Sequence, residues 1–348
     1  MSASKTIITA LILLIGWVPS ISAQGTSQAN ALFLMVNGGK FGYLNRFGRI
    51  VISPRFNGAG HLSEGLAPVE INSKWGYIDT TGKIVIAPQF DDADQFSEGF
   101  ARIAIGEKFG YVNRTGEVTI APVFDVSSYF SGGLALVKVK EQWGFVDRDG
   151  QLVVKPQFDF ANEFSEGLAA VSVNGKLGYI NRSGKFVIEP QFFLAGEFHQ
   201  GLALVELKSD SSYGFIDKQG NMMIPARFTQ AGDFSEGVAP IEVDGKWGYI
   251  DAVGKVVIRP QFDRAESFSE GLAAVELDGK WGYIDVTGSL KVKPKFDNAL
   301  RFQNGLAIVI EVNGAGGAIT APGLSISDVS GKWGYVSRRG RYIWQSSD

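Results

Sequence analysis

The side chains that most often do chemistry are scarce or repetitive in this 348-residue chain. There is no cysteine, which excludes thiolate metal sites, disulfides and thiol nucleophiles together. The two histidines, His61 and His199, stand in nearby columns of a repeated pattern, four repeats apart. Neither has a second imidazole at metal-ligand spacing, so both read as structural or surface residues rather than as a zinc site or a triad base. The carboxylates are better ordered. An Asp or Asn recurs at Asp79, Asn113, Asp147, Asn181, Asp217, Asp251 and Asp285, and a Glu recurs within Ser-Glu-Gly at 63–65, 97–99, 165–167, 235–237 and 269–271. On a circular or helical array either column would make a ring of carboxylates able to hold a divalent cation or to act as an acid and base pair. Because they recur in most repeats rather than at one place, turn geometry accounts for them more simply. These columns give no reason to expect a catalytic residue, a metal ligand or a cofactor.

The tryptophans are the remaining candidates. Trp75, Trp143, Trp247, Trp281 and Trp333 stand in register and could stack on sugar rings or clamp a peptide, and they form the one candidate binding stripe. Core packing is the competing expectation, with Trp281 placed between units. A glycine follows each of them, and the same glycine column continues through Gly42, Gly76, Gly110, Gly144, Gly178, Gly214, Gly248, Gly282 and Gly334. Its spacing is 34 residues throughout, apart from 36 at Gly214 and 52 at Gly334. That is a tandem array of nine units. The run Lys-Trp-Gly-Tyr-Ile-Asp is unaltered from Lys74 to Asp79, from Lys246 to Asp251 and from Lys280 to Asp285, followed by Gly-Lys in the first two and by Pro-x-Phe in all three. Phe41, Phe109, Leu177 and Tyr213 replace the tryptophan elsewhere, keeping its bulk. In these motifs the chain resembles the bacterial WG-repeat family over nearly its whole length. The resemblance implies a structural repeat without one shared activity.

The elements that must position these residues are short strands. Leu168 to Val173 and Leu202 to Leu207 alternate apolar and polar side chains, as a half-buried strand does (strand A). Asn174-Gly175, Asp244-Gly245 and Asp278-Gly279 follow it, pairs that accept the positive φ angles of a type I′ hairpin. The Trp-Gly-Tyr run is then strand B, whose glycine leaves room for a neighbouring ring or backbone. The Asp or Asn that ends it stands three residues before a Gly, which suits an Asx turn. Strand C follows, and its proline, at Pro54, Pro88, Pro122, Pro156, Pro190, Pro260 and Pro294, marks the edge or exit of the sheet. The Phe-Asp-x-Ala-x-x-Phe segment between units fits either a short fourth strand or an ordered crossing loop.

Residues 1–23 read as a secretory signal peptide: Lys5, an apolar run over residues 6–18, and small residues before Gln24. Residues 24–30 make a short linker, 31–344 one β domain, and 345–348 a tail. Within the domain, residues 313–330 are a Gly-, Ala- and Ser-rich insertion, expected as a surface loop. After cleavage no apolar run is long enough to span a bilayer, so stable membrane insertion is not expected. Losing Lys5 makes the formal net charge of −3 one unit more negative, and no basic stripe invites nucleic acid. Export fits a periplasmic or extracellular location and a bacterial source.

These readings combine into an all-β fold of nine three-stranded meanders. A propeller-like closed ring is favoured over an open superhelix because the period is so nearly constant. The function expected is a non-enzymatic binding or scaffold protein contacting envelope proteins or glycans. The alternative is a carbohydrate hydrolase or lyase that uses carboxylates gathered on one face, near the 313–330 insertion.

Overall fold

In the computed structural model, residues 31–207, 212–311 and 332–346 are described. The expected signal peptide, linker and insertion lie outside them. Nine antiparallel sheets, here called blades 1 to 9 in chain order, form a closed ring, a nine-bladed β-propeller. Blade 2 shows the plan: a two-residue strand Gly58–Ala59, then strand A Leu66–Ile71, strand B Lys74–Asp79 and strand C Ile84–Phe90, each hydrogen-bonded to the next. Blades 3 to 9 repeat it over residues 92–124, 126–158, 160–192, 194–228, 230–262, 264–296 and 298–345.

The meanders are therefore four-stranded in eight blades, because the segment after strand C supplies a short first strand to the following sheet. In blades 3 and 6 this strand lengthens to Asp92–Ser97 and Leu194–His199. Among the described residues blade 1 has the three strands expected for every unit: Leu32–Asn37, Lys40–Asn45 and Ile50–Phe56.

Local chemistry sets each turn. Asn174 and Gly175 adopt φ of 52° and 74°, as the type I′ hairpin between strands A and B requires. Asp79 Oδ1 accepts the backbone N–H groups of Thr81 at 2.8 Å and Lys83 at 3.1 Å, and Gly82 takes the left-handed position at φ 85°. Strand A differs from expectation. Leu66, Ala67, Pro68 and Val69 are all buried, not alternately so, because each sheet is covered on both faces by its neighbours in the ring.

The Trp-Gly step is explained by strand C. Trp75 pairs with Phe90 and Tyr77 with Ile86, so one residue of strand B faces three residues of a bulged strand C, including Pro88. A Cβ on Gly76 would lie 2.5 Å from Ile86 O and 2.6 Å from Pro88 N. The glycine is there because a backbone crosses over it.

Among the described residues the ring closes by packing of blade 1 against blade 9. Phe33, Met35 and Leu44 of blade 1 meet Leu306, Trp333 and Tyr335 of blade 9 in one buried cluster, with the Phe33 and Tyr335 rings 5.2 Å apart. The open superhelix is thus not the arrangement adopted. Solution scattering should return a radius of gyration of about 20 Å for the folded ring. A much larger value with a rod-like distance distribution would mean that the contact between blades 1 and 9 does not hold.

Candidate functional site

Burial divides the five tryptophans. Trp281 and Trp333 are 7% and 3% exposed, inside the cores of blades 8 and 9. Trp75, Trp143 and Trp247 are half-buried, each with its ring against the buried cluster beside it. The five do not present one solvent-facing stripe. The residue two places on is buried in every blade, and its hydroxyl often ties blades together: Tyr77 donates to Asp94 O at 2.8 Å and Tyr249 to Glu266 O at 2.7 Å.

The recurring carboxylates are engaged in structure. The strand B Asp accepts turn N–H groups, as at Asp79. The Glu of Ser-Glu-Gly sits at positive φ in a two-residue turn and reaches the next blade, where Glu98 accepts from the N–H groups of Gly132 and Gly133 at 2.7 Å each. Ser165 Oγ, from the same turn, donates to Phe198 O of the next blade at 2.6 Å. These columns are fasteners between blades, and their positions are spent on turn and interblade hydrogen bonds.

A different column converges. Between the Ala and the Phe of the linking segment, the second residue reads His61, Gln95, Tyr129, Glu163, Glu197, Asp233, Ser267 and Arg301 around the ring. Members of this column act electrostatically on residues two blades away, Glu163 on Tyr111, Glu197 on Tyr129 and Arg301 on Asp233. Three successive members, Glu163, Glu197 and Asp233, are carboxylic acids. His199, in a column otherwise occupied mostly by serine, places Nε2 3.9 Å from Glu197 Oε2 and 3.7 Å from Asp233 Oδ2. It also borders a groove of about 380 Å³, lined in addition by Ser131, Phe164, Glu166 and Arg182.

Dehydration dominates the electrostatics of this cluster. It raises the Glu197 carboxyl to about 8, with Glu163 and Asp233 pushing the same way. Burial raises Glu163 as well, partly countered by hydrogen bonds from Tyr129 and Ser128. Asp233 is pushed up by burial and pulled down by His199 and Arg301. Asp233 keeps 35% of its side chain accessible against 17% for Glu197, so water screens it more. At neutral pH Glu197 is therefore a carboxylic acid, able to donate a proton, beside other carboxyl groups. His61, in the same column, is solvent-exposed. Among the described residues no group of three or more His, Asp or Glu is placed to hold a metal ion.

Sequence reasoning looked for convergence in the repeated columns and near the 313–330 insertion, and missed this site. The available signal was the opposite of repetition: a polar, variable column flanked by near-constant Ala and Phe.

Eight tandem matches to the family model described as WG containing repeat cover residues 41–75, 75–109, 109–142, 143–176, 178–209, 213–247, 247–281 and 281–314. The chain belongs to the WG-repeat family. Each WG repeat runs from one strand B to the next, so it straddles two blades: strands B and C of one, the short strand and strand A of the following one. Eight such repeats, with a first strand A before them and a last B and C after them, make nine blades. No curated protein matches this WG-repeat chain in sequence. In fold it is similar to a solved structure described as the eukaryotic initiation factor, with TM-score 0.63 and 12% identity over 90% of this chain and 95% of that one. It also aligns with dihydro-heme d1 dehydrogenase NirN at TM-score 0.44 and 14% identity, over 78% and 74% of the two chains.

Proposed function

We propose that this WG-repeat ring is an exported, non-enzymatic binding or scaffold protein whose partner is an envelope protein or an extracellular glycan. The observation that carries the reading is the use of the recurring polar residues: the strand B Asp, the turn Glu and the turn Ser are engaged in holding turns and blades. A rigid ring with many similar edges favours broad contact over a single reaction centre. The periplasmic or extracellular location rests on the leader-like residues 1–23.

A second reading has one observation in its favour. Glu197, protonated near neutrality and flanked by Glu163 and Asp233, is the kind of paired carboxyl that a carbohydrate hydrolase or lyase uses as acid and base. One experiment separates the two. Purified mature protein is screened on glycan arrays and in envelope-protein pull-downs, and in parallel for turnover of polysaccharides. Saturable binding without turnover supports the scaffold. Turnover that Glu197→Gln abolishes while the fold survives would replace it with the enzyme.

A further inference from the structure

The turn before strand A usually carries a glutamate that reaches the next blade. Its carboxylate accepts from the N–H of the turn glycine there: Glu64 from Gly99 at 3.1 Å, Glu166 from Gly201 at 3.0 Å, Glu236 from Gly271 at 2.9 Å and Glu270 from Gly305 at 2.9 Å. Between blades 4 and 5 the residue in this column is Gly132, which has no side chain to offer Gly167. We propose that this seam binds a carboxylate from outside the chain, carried on a glutamate side chain of a partner protein.

The groups that hold the carboxylate at neighbouring seams are present at this one. One seam earlier, Glu98 accepts from the N–H groups of Gly132 and Gly133 and from the Arg148 guanidinium, each at 2.7 Å. One seam later, Glu166 meets the Lys218 ammonium at 3.0 Å. Arg182 stands in the same column as Arg148 and Lys218, and its Nη2 lies 3.0 Å from where a Cβ on Gly133 would be, so it faces the Gly132 turn. Glu166 and Gly167 have φ of 50° and 90°, against 53° and 85° for Glu98 and Gly99, so the Gly167 N–H is presented as its counterpart is. Among the described residues no hydrogen bond or ion pair engages the Arg182 guanidinium or the Gly167 N–H.

The surroundings suit a carboxylate on a short arm. The groove of about 380 Å³ runs over these groups and is lined by Ser131 and Ser165 as well. Ser131 Oγ donates to Phe164 O at 3.3 Å, whereas Ser97, Ser165, Ser235 and Ser269 make the same bond at 2.7, 2.6, 2.7 and 2.7 Å, so the Ser131 hydroxyl is the easiest of them to redirect to a ligand. A guanidinium and an amide N–H donate and do not accept, which selects a carboxylate over a cation and binds it by charge-assisted bonds that a neutral amide forms less well. Glu166 also lines the groove, but its carboxylate is engaged by Lys218 and Gly201. A glutamate side chain is favoured over other carboxylates because glutamate fills the equivalent cradle elsewhere in the ring. The site rests on the binding reading above and narrows its partner to an acidic protein.

The test is titration of the mature protein with N-acetyl-glutamate α-amide, followed by amide NMR, with the matching glutamine compound and glucuronate as parallel arms. The glutamate probe should shift the Gly167 resonance saturably, with a Kd of roughly millimolar order, and the glutamine probe should not. Arg182→Ala, at an exposed position, should weaken the glutamate probe by about tenfold. Gly132→Glu restores the chain's own carboxylate where φ is 59°, close to the 53° and 50° of Glu98 and Glu166. It should abolish probe binding and raise the exchange protection of the Gly167 amide by about tenfold. No saturable shift at Gly167, equal binding of the glutamine probe, or binding undiminished in either variant overturns the site. Glucuronate binding more tightly than the glutamate probe overturns the protein partner in favour of an acidic glycan. Polysaccharide turnover would displace the scaffold reading without altering this titration, so the two failures are distinguishable.

Discussion

Gly248→Ala should destabilise the ring by about 3–4 kcal/mol, although it adds a single methyl group. The added carbon would lie 2.5 Å from Ile258 O, 2.6 Å from Pro260 N and 2.8 Å from Arg259 C, all backbone atoms of the bulged strand C. No rotamer change can relieve a contact with backbone, so the sheet itself must open. Gly279→Ala is the control. Gly279 has φ of 72° with nothing near its would-be Cβ, so Ala there costs only the left-handed strain of about 1–2 kcal/mol. Urea unfolding of the two variants side by side measures the difference. Equal losses would mean that the strand crossing over Gly248 yields easily and does not explain the Trp-Gly pair.

The second large effect concerns Trp281→Ala, for which a loss of about 3–5 kcal/mol is expected. Trp281 is 7% exposed, pairs across the sheet with Phe296, and shares a core with Tyr283, Phe302 and Val336. Truncation there leaves a cavity the size of an indole between packed sheets. The half-buried Trp75 should lose less on the same change, because one side of its ring already meets water. Calorimetric melting of both variants decides the matter. A Trp281→Ala protein that melts like the wild type would return this tryptophan to the role of a binding platform.

Much of the fold was legible because the repeat states its turns again and again. Asn-Gly and Asp-Gly pairs located the hairpins, and the Asp three residues before Gly located the Asx turns, since both are governed by bonds within a few residues of chain. The short fourth strand was less legible. Two residues such as Gly58 and Ala59 carry no periodicity, and they become a strand only because strand A of their own blade stands beside them. Strand A misled for a related reason: its alternation suggests one wet face, whereas packing between two blades dries both.

The chemistry was harder to read than the fold. Glu163, Glu197 and Asp233 are 34 and 36 residues apart and look like unrelated surface acids in the linear chain. Constancy of the neighbouring Ala and Phe columns fixes where each segment sits in its blade. It says nothing about which polar residues meet, because that depends on how the blades are arranged around the axis. The sequence by itself determined the repeat, the strand order within a blade and the turns, all of which rest on local backbone preference and short-range hydrogen bonds. Ring closure through Phe33 and Tyr335, the burial of Trp281 and the approach of Glu163 and Asp233 to Glu197 were decided only by tertiary structure. Each requires residues distant in sequence to share one space, and dehydration, which sets their energies, exists only once that space is enclosed.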